Sequence, residues 1–395
     1  MEKTHDNFVL TDHALFKKPA LVLGIIGFLV AMSGYFVDQK QFFFSYLTAY
    51  VFWMSLIWGA MFFAFLHHLT GADWSIVLRR ILETVLMVLP VMAVLFVPII
   101  LGIHDLYHWS HADVLAADPA LQKKSVYLNP LFFSLRSAGY FAIWFLLART
   151  LYKTSLDQDR AFDKTQITKM KRVSAPGMIL FALTITFASF DWLMSLEAHW
   201  YSTIFGVYIF GGSLLGILVF LVLFGLYLRK RDILANTITV EHYHDIGKFL
   251  FAFIIFWGYI GFSQYFLIWY ANIPEETVWY LARWQGSWKI ITMTIVFGHF
   301  VIPFVLLMPR AVKRSFKWQD HCRLDSGYAL DRYLLGGHAQ FACRGHCILL
   351  DGCRRFYRHR WHFSLVFFIP VRCKASGSSQ RSAIGYLHTH EKLKV

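Results

Sequence analysis

Cysteine is missing from the first 321 residues of this 395-residue chain; all five fall between Cys322 and Cys373. Thiolate metal chemistry is therefore excluded from most of the molecule. Charge is scarce as well, at 16% of residues, against about a quarter in soluble globular proteins. That scarcity excludes a soluble domain of any size. Nucleophile motifs, phosphate-binding loops and nucleotide fingerprints are absent up to about residue 317. Residues 1–19 carry charges of both signs, and no small-residue cleavage site follows the first apolar block, so no removable signal peptide is expected.

What is present is apolar: 57% hydrophobic and 18% aromatic residues. They come in blocks long enough to cross hydrocarbon, which takes roughly 20 residues of helix. The expected spans are about 20–37, 42–66, 75–101, 131–148, 174–198, 203–228, 248–271 and 288–309. The fold class is thus an all-α polytopic membrane protein, because helices that satisfy their own backbone groups are the form a lipid-exposed chain tolerates. Three regions follow: a cytoplasmic segment 1–19, an eight-span region 20–309 and a tail 310–395. Arg79, Arg80 and Glu83 enter the first turns of the third span, and Pro90 and Pro98 should kink it.

Lys and Arg near the span ends set the orientation. With the N-terminus inside, inner segments hold twenty and outer segments five, a bias that places the N-terminus in the cytoplasm. Trp200, Tyr201, Trp269, Tyr270, Trp279, Tyr280, Trp284 and Trp288 then gather at the outer interface. The partner expected is the lipid bilayer, with no nucleic acid.

The tail breaks from this pattern. Residues 1–309 carry a net +3 and residues 310–395 a net +11, so the formal +14 belongs mostly to the tail. Cys343-Arg-Gly-His-Cys347 with Cys353 lacks the paired spacing of a zinc ribbon and the CxxCH of an attached haem. Basic residues beside a membrane suit anionic lipid. A shift of reading frame is the favoured reading, since it produces an abrupt gain of Cys, Arg, His and Ser together with the loss of apolar runs.

Ionisable groups inside a bilayer are costly and mark ion pathways or helix contacts. Asp191 falls in the outer half of the fifth span, with Ser195 one turn on and Thr184 two turns back, and Glu197 and His199 at the rim. Arg136 enters the fourth span at a similar depth, so an Asp191–Arg136 pair is sterically feasible. An inner set comprises His67, His68, Asp73, Arg79, Arg80, Glu83 and Lys248, with Tyr259 and His299 near mid-membrane. Two polar half-paths joined by Tyr and His suit a proton route; interhelical hydrogen bonds and rim ion pairs are the competing role. Haem b needs axial histidines at matching depth, and His299 is the one histidine well inside a span. Gly211-Gly212 would let a neighbouring helix come close.

The stretch FASFDWLMSLEAHWYSTIFGVYIFGGSLLG at 187–216 closely resembles the second large membrane subunit, the F subunit, of bacterial alternative complex III. HHLTGADWSIVLRRILE at 67–83, the Lys-Lys-Pro before the first span and HFVIPFVLLMPRAVKR near the eighth resemble the same NrfD or polysulfide-reductase-type family. The resemblance covers about residues 15–317. It implies two four-helix bundles plus two further helices, which the tail does not display. It also implies a complex that oxidises menaquinol and passes electrons through iron–sulfur clusters and haem c to a cytochrome c or a terminal oxidase. The implied partners are a paralogous quinol-binding membrane subunit, an iron–sulfur subunit and haem c subunits. The F subunit itself carries no redox centre or metal and is proposed to conduct protons.

The expected role is a haem-free subunit in which protons move between Glu83 and Asp191 through Tyr259 and His299. Rival readings are a quinol site of its own near Asp191, His199 and Arg136, and a scaffold subunit. The outer loop 104–129, with His104, Asp105, His108 and His111, is long enough to meet extracytoplasmic partners. For the tail, the frame-shift reading expects mass spectrometry of the purified protein to find no peptide spanning Ser326–Arg332; detecting it would overturn that reading.

Overall fold

A computed structural model describes residues 33–314 apart from 73, 74, 162, 230, 232, 235, 236 and 287, together with 22, 24–27 and 29. Among the described residues there is no β-strand element, and seven helices are long and apolar enough to cross a membrane. They are α1 (Gln39–Thr70), α2 (Ile76–Leu101), α3 (Pro130–Arg160), α4 (Lys164–Trp192), α5 (Phe205–Arg229), α6 (Val240–Ala271) and α7 (Trp288–Leu307). Each matches one of the last seven expected spans, and the chain is a multi-pass membrane protein. The expected first span lies largely outside the described residues; its described positions are helical. The tail from residue 315 lies outside them altogether.

Helix ends follow from local chemistry. Asp38 caps α1 by accepting from the Gln41 amide at 3.0 Å, and Gly71 ends it in the left-handed region at φ 63°. Asn129 accepts from the Phe132 amide at 2.8 Å, with Pro130 opening α3. Asp163 caps α4, and a Thr239–His242 capping box starts α6. The caps of α4 and α6 lie beyond their apolar runs, and α3 runs on to Arg160, so all three helices extend past the expected spans at one end.

The expected kinks are present in α2, which runs as Ile76–Leu86, Leu89–Leu95 and Val97–Leu101. Pro90 and Pro98 each fall in the first turn of a segment, where the missing N–H is tolerated. In α7 the turn Val296–Val301 widens into a π-helix just before Pro303, another place where the i→i−4 ladder is interrupted.

α1 to α4 close a ring in which each helix packs on the next and α4 returns to α1; α5 lies along α1 and α4, α6 along α5, and α7 along α6. One four-helix ring is therefore seen, followed by a row of helices. α1 and α5 are central, with 72% of their apolar windows buried, while the other five are 22–39% buried and turn apolar side chains outward. Those outward faces, such as Leu135, Leu146, Ile179 and Leu183, suit lipid contact.

A tight helix contact joins α1 to α5 at Gly59. A Cβ there would press on the Ser213 carbonyl and sit 2.6 Å from Ile217 Cγ2. Gly211, expected to allow close approach, has only ordinary contacts with Phe256 and Trp257. Gly59→Ala should lower stability by about 1–3 kcal/mol, read as a fall in the midpoint of thermal unfolding in detergent. An unchanged midpoint would show that α1 and α5 do not meet there.

Candidate functional site: two buried ionic centres

Burying a lone charge in hydrocarbon is prohibitive, so buried ionisable groups must find partners on neighbouring helices. The ring α1–α4 contains two such centres, one toward each end, named outer and inner after the orientation expected from the Lys and Arg bias.

The outer centre is built on Asp191, which has no exposed surface. Arg136 of α3 grips it through two hydrogen bonds, Nε to Oδ2 at 2.9 Å and Nη2 to Oδ1 at 2.8 Å. Tyr140, one turn along α3, donates to Oδ2 at 2.7 Å. The remaining guanidinium nitrogen Nη1 donates to the Tyr127 carbonyl at 2.8 Å, and the cation lies 3.8 Å from the Tyr127 ring centroid and 4.3 Å from that of Phe132. Burial, reinforced by Asp191, pushes the Tyr127 phenol up to about 12, so it covers the guanidinium as a neutral group. The site is closed by hydrogen bonds from Tyr107 to the Trp192 carbonyl at 3.0 Å and from Trp109 to the Ser195 carbonyl at 3.1 Å. Burial also pushes the Tyr107 phenol well above its usual range. Every polar atom of the Asp191–Arg136 pair thus has a partner or a stacking ring.

The inner centre is built on Glu83 of α2, also without exposed surface. Ser155 of α3 donates to its Oε2 at 2.7 Å, and Arg80 Nη1 lies 3.2 Å from the same oxygen. Arg79 Nε lies 3.5 Å from Oε1. Arg80 also pairs with Asp159, and Arg79 Nη1 donates to Gln158 Oε1 at 3.3 Å. From α1, His68 Nε2 comes to 3.8 Å from Oε1, while the neighbouring His67 contacts Ser75 Oγ through Nδ1 at 2.5 Å. Glu83 Oε1 and His68 Nε2 face each other, yet neither has a hydrogen-bond partner among the described residues. A separation of that size is a charge contact just beyond direct hydrogen-bond reach.

Helix α3 carries both centres. Arg136 and Ser155 are 19 residues apart, about 28 Å along the axis. Between them the buried face of α3 presents Trp144, Ala148 and Leu151, and α4 presents Phe181 and Gly177. Trp144 donates to Thr184 at 2.8 Å and meets Trp58 and Trp192 edge to face. Trp58 stacks on Trp192 at 5.7 Å. An aromatic layer separates the two ends.

The structure brings together Asp191 and Arg136, and it brings together His68, Arg79, Arg80 and Glu83, with His67 alongside. It places the remaining expected residues elsewhere. Tyr259 is 65% exposed on α6, which lies outside the ring, and is not brought together with either centre. His299 is buried in the π-helical turn of α7 against the Trp257 ring at 4.5 Å, on the row of helices and outside the ring. Lys248 pairs with Asp245 at 2.6 Å on the α6 surface. His199 pairs with Asp118 of the outer loop at 3.0 Å, not with Asp191, and Glu197 ends the short turn Met194–Leu196. Ser195 bonds to the Asp191 backbone carbonyl and not to its carboxylate.

Sequence reading missed Tyr140, Ser155, Gln158 and Asp159. Tyr140 carried a signal, standing four residues after Arg136. The other three lie beyond the apolar run, on the inner extension of α3 that composition alone does not reveal.

Removing one member of the outer pair leaves the other charged and buried. Arg136→Gln or Asp191→Asn alone should each destabilise by about 3–5 kcal/mol. The double variant Arg136→Gln with Asp191→Asn should cost less than the sum of the singles, in a double-mutant cycle of unfolding in detergent. Additive losses would mean that the pair is not coupled.

A scan against protein-family models and a search of curated proteins returned no match to this chain.

Proposed function

We propose that this chain is a haem-free membrane subunit of a quinol-oxidising respiratory complex of the alternative complex III type in the bacterial inner membrane, and that its inner centre exchanges protons. The observation that supports this most is where the resemblance falls. The stretch 67–83 supplies His67, His68, Arg79, Arg80 and Glu83, and the stretch 187–216 supplies Asp191 and Trp192. The two most family-like segments are therefore the ones that build the two buried centres. The complex would bring menaquinol, iron–sulfur clusters and haem c through a paralogous quinol-binding subunit, an iron–sulfur subunit and haem c subunits.

The two centres suit different tasks. Glu83 Oε1 and His68 Nε2 are each left without a hydrogen bond and lie 3.8 Å apart, so a small shift of either side chain brings a carboxylate and an imidazole within proton-transfer reach. His67, Ser75 and Ser155 line the approach. Asp191 has both oxygens filled by Arg136 and Tyr140, so it acts as a clamp joining α3 to α4. The scaffold reading is favoured for the outer half by this same saturation. A quinol site shared by Asp191, Arg136 and His199 has less support, because the carboxylate is filled and His199 is engaged with Asp118.

In proteoliposomes holding the purified complex, Glu83→Gln should lower proton translocation by an order of magnitude or more while quinol oxidation persists in part; one general acid–base group is worth about 100-fold or more. Translocation equal to that of the unmodified complex would remove Glu83 from the proton path.

A further inference from the structure

Four basic residues at the inner ends of α3 and α4 stand out because no carboxylate among the described residues pairs with them. Arg149, Lys153, Lys171 and Arg172 are all exposed. The carboxylates nearest in sequence are taken: Asp157 pairs with Arg160, Asp159 with Arg80, Asp163 caps α4, and Glu83 belongs to the inner centre. Among the described residues no ion pair engages any of the four.

Their depth is set by helix geometry. Arg149 lies 19 residues from Pro130 and Arg172 lies 20 residues from Trp192, about 28 and 30 Å along the two axes. Both distances match the roughly 30 Å thickness of a bilayer's hydrocarbon. The antiparallel register is fixed where Gly177 meets Leu147, a Cβ on the glycine falling 3.4 Å from Leu147 Cδ2. Equal steps along the two helices then set Lys153 level with Lys171, and Arg149 about one turn deeper than Arg172. Above the cations run outward apolar positions, Leu135 and Leu146 on α3 and Ile179 and Leu183 on α4, 53–65% exposed. Acyl chains lying on those stripes bring a headgroup to the cations.

We propose that the inner rim of α3 and α4 is a headgroup site for anionic phospholipid of the cytoplasmic leaflet. Guanidinium and ammonium groups at phosphate depth bind a phosphodiester through charge-assisted hydrogen bonds. An anionic lipid is favoured over a zwitterionic one because the latter carries its own cation, which four unpaired basic side chains repel. Arg149 is steadied beside the Phe145 ring, 5.8 Å from its centroid.

The test reconstitutes the full chain, with any co-purifying subunits, in nanodiscs of equimolar phosphatidylglycerol and phosphatidylcholine, and measures retained lipid by native mass spectrometry. The unmodified protein should retain phosphatidylglycerol in excess. Arg149→Gln with Lys153→Gln, and separately Lys171→Gln with Arg172→Gln, should lower that excess roughly fivefold per residue neutralised. Lys153→Arg with Lys171→Arg should keep it. Equal retention of the two lipids by the unmodified protein overturns the proposal whether or not the variants fold, and so does an excess unchanged in both neutralised pairs.

Discussion

Buried charge in a medium without water must be answered from a neighbouring helix, and this requirement organises the ring α1–α4. Each centre draws its partners from at least two helices, so the ring cannot slide or rotate one helix without stranding a charge. α3 is the element common to both, carrying Arg136 and Tyr140 toward one end and Ser155, Gln158 and Asp159 toward the other. The packed tryptophans Trp58, Trp144 and Trp192 fill the interval.

The contrast between the centres is one of satisfaction. At the outer centre a bidentate guanidinium and a phenol leave the carboxylate with nothing further to accept, and rings cover the cation. Such a fully answered pair serves rigidity. At the inner centre two arginines are shared with Gln158 and Asp159, and the histidine stands off from the carboxylate. In the proposed function, the carboxylate whose partners are divided in this way is the one that exchanges protons, and the fully paired one is the fixed end.

Much of this was legible in the residues. Seven spans follow from the length of apolar runs, and the breaks in α2 follow from Pro90 and Pro98. The Asp191–Arg136 pair follows from counting depth along two antiparallel helices. Depth, however, says nothing about direction around a helix axis. Tyr259 sits near mid-membrane as expected yet points outward, because its helix buries the opposite face through Trp257 and Ile260. His299 failed for a related reason: its helix packs against α6 and not within the ring. The inner extensions of α3 and α4 were hidden because they are polar and end on caps rather than on a hydrophobic boundary. Ser155 and Asp159, the partners that complete the inner centre, lie in that hidden stretch.

The division of labour between the centres can be read directly by infrared difference spectroscopy on the reconstituted protein as pH is stepped. A carboxyl C=O band that follows pH, disappears in Glu83→Gln and survives in Asp191→Asn is the expected result. A pH-dependent band that persists in Glu83→Gln and vanishes in Asp191→Asn would contradict it, and with it the assignment of proton exchange to the inner centre.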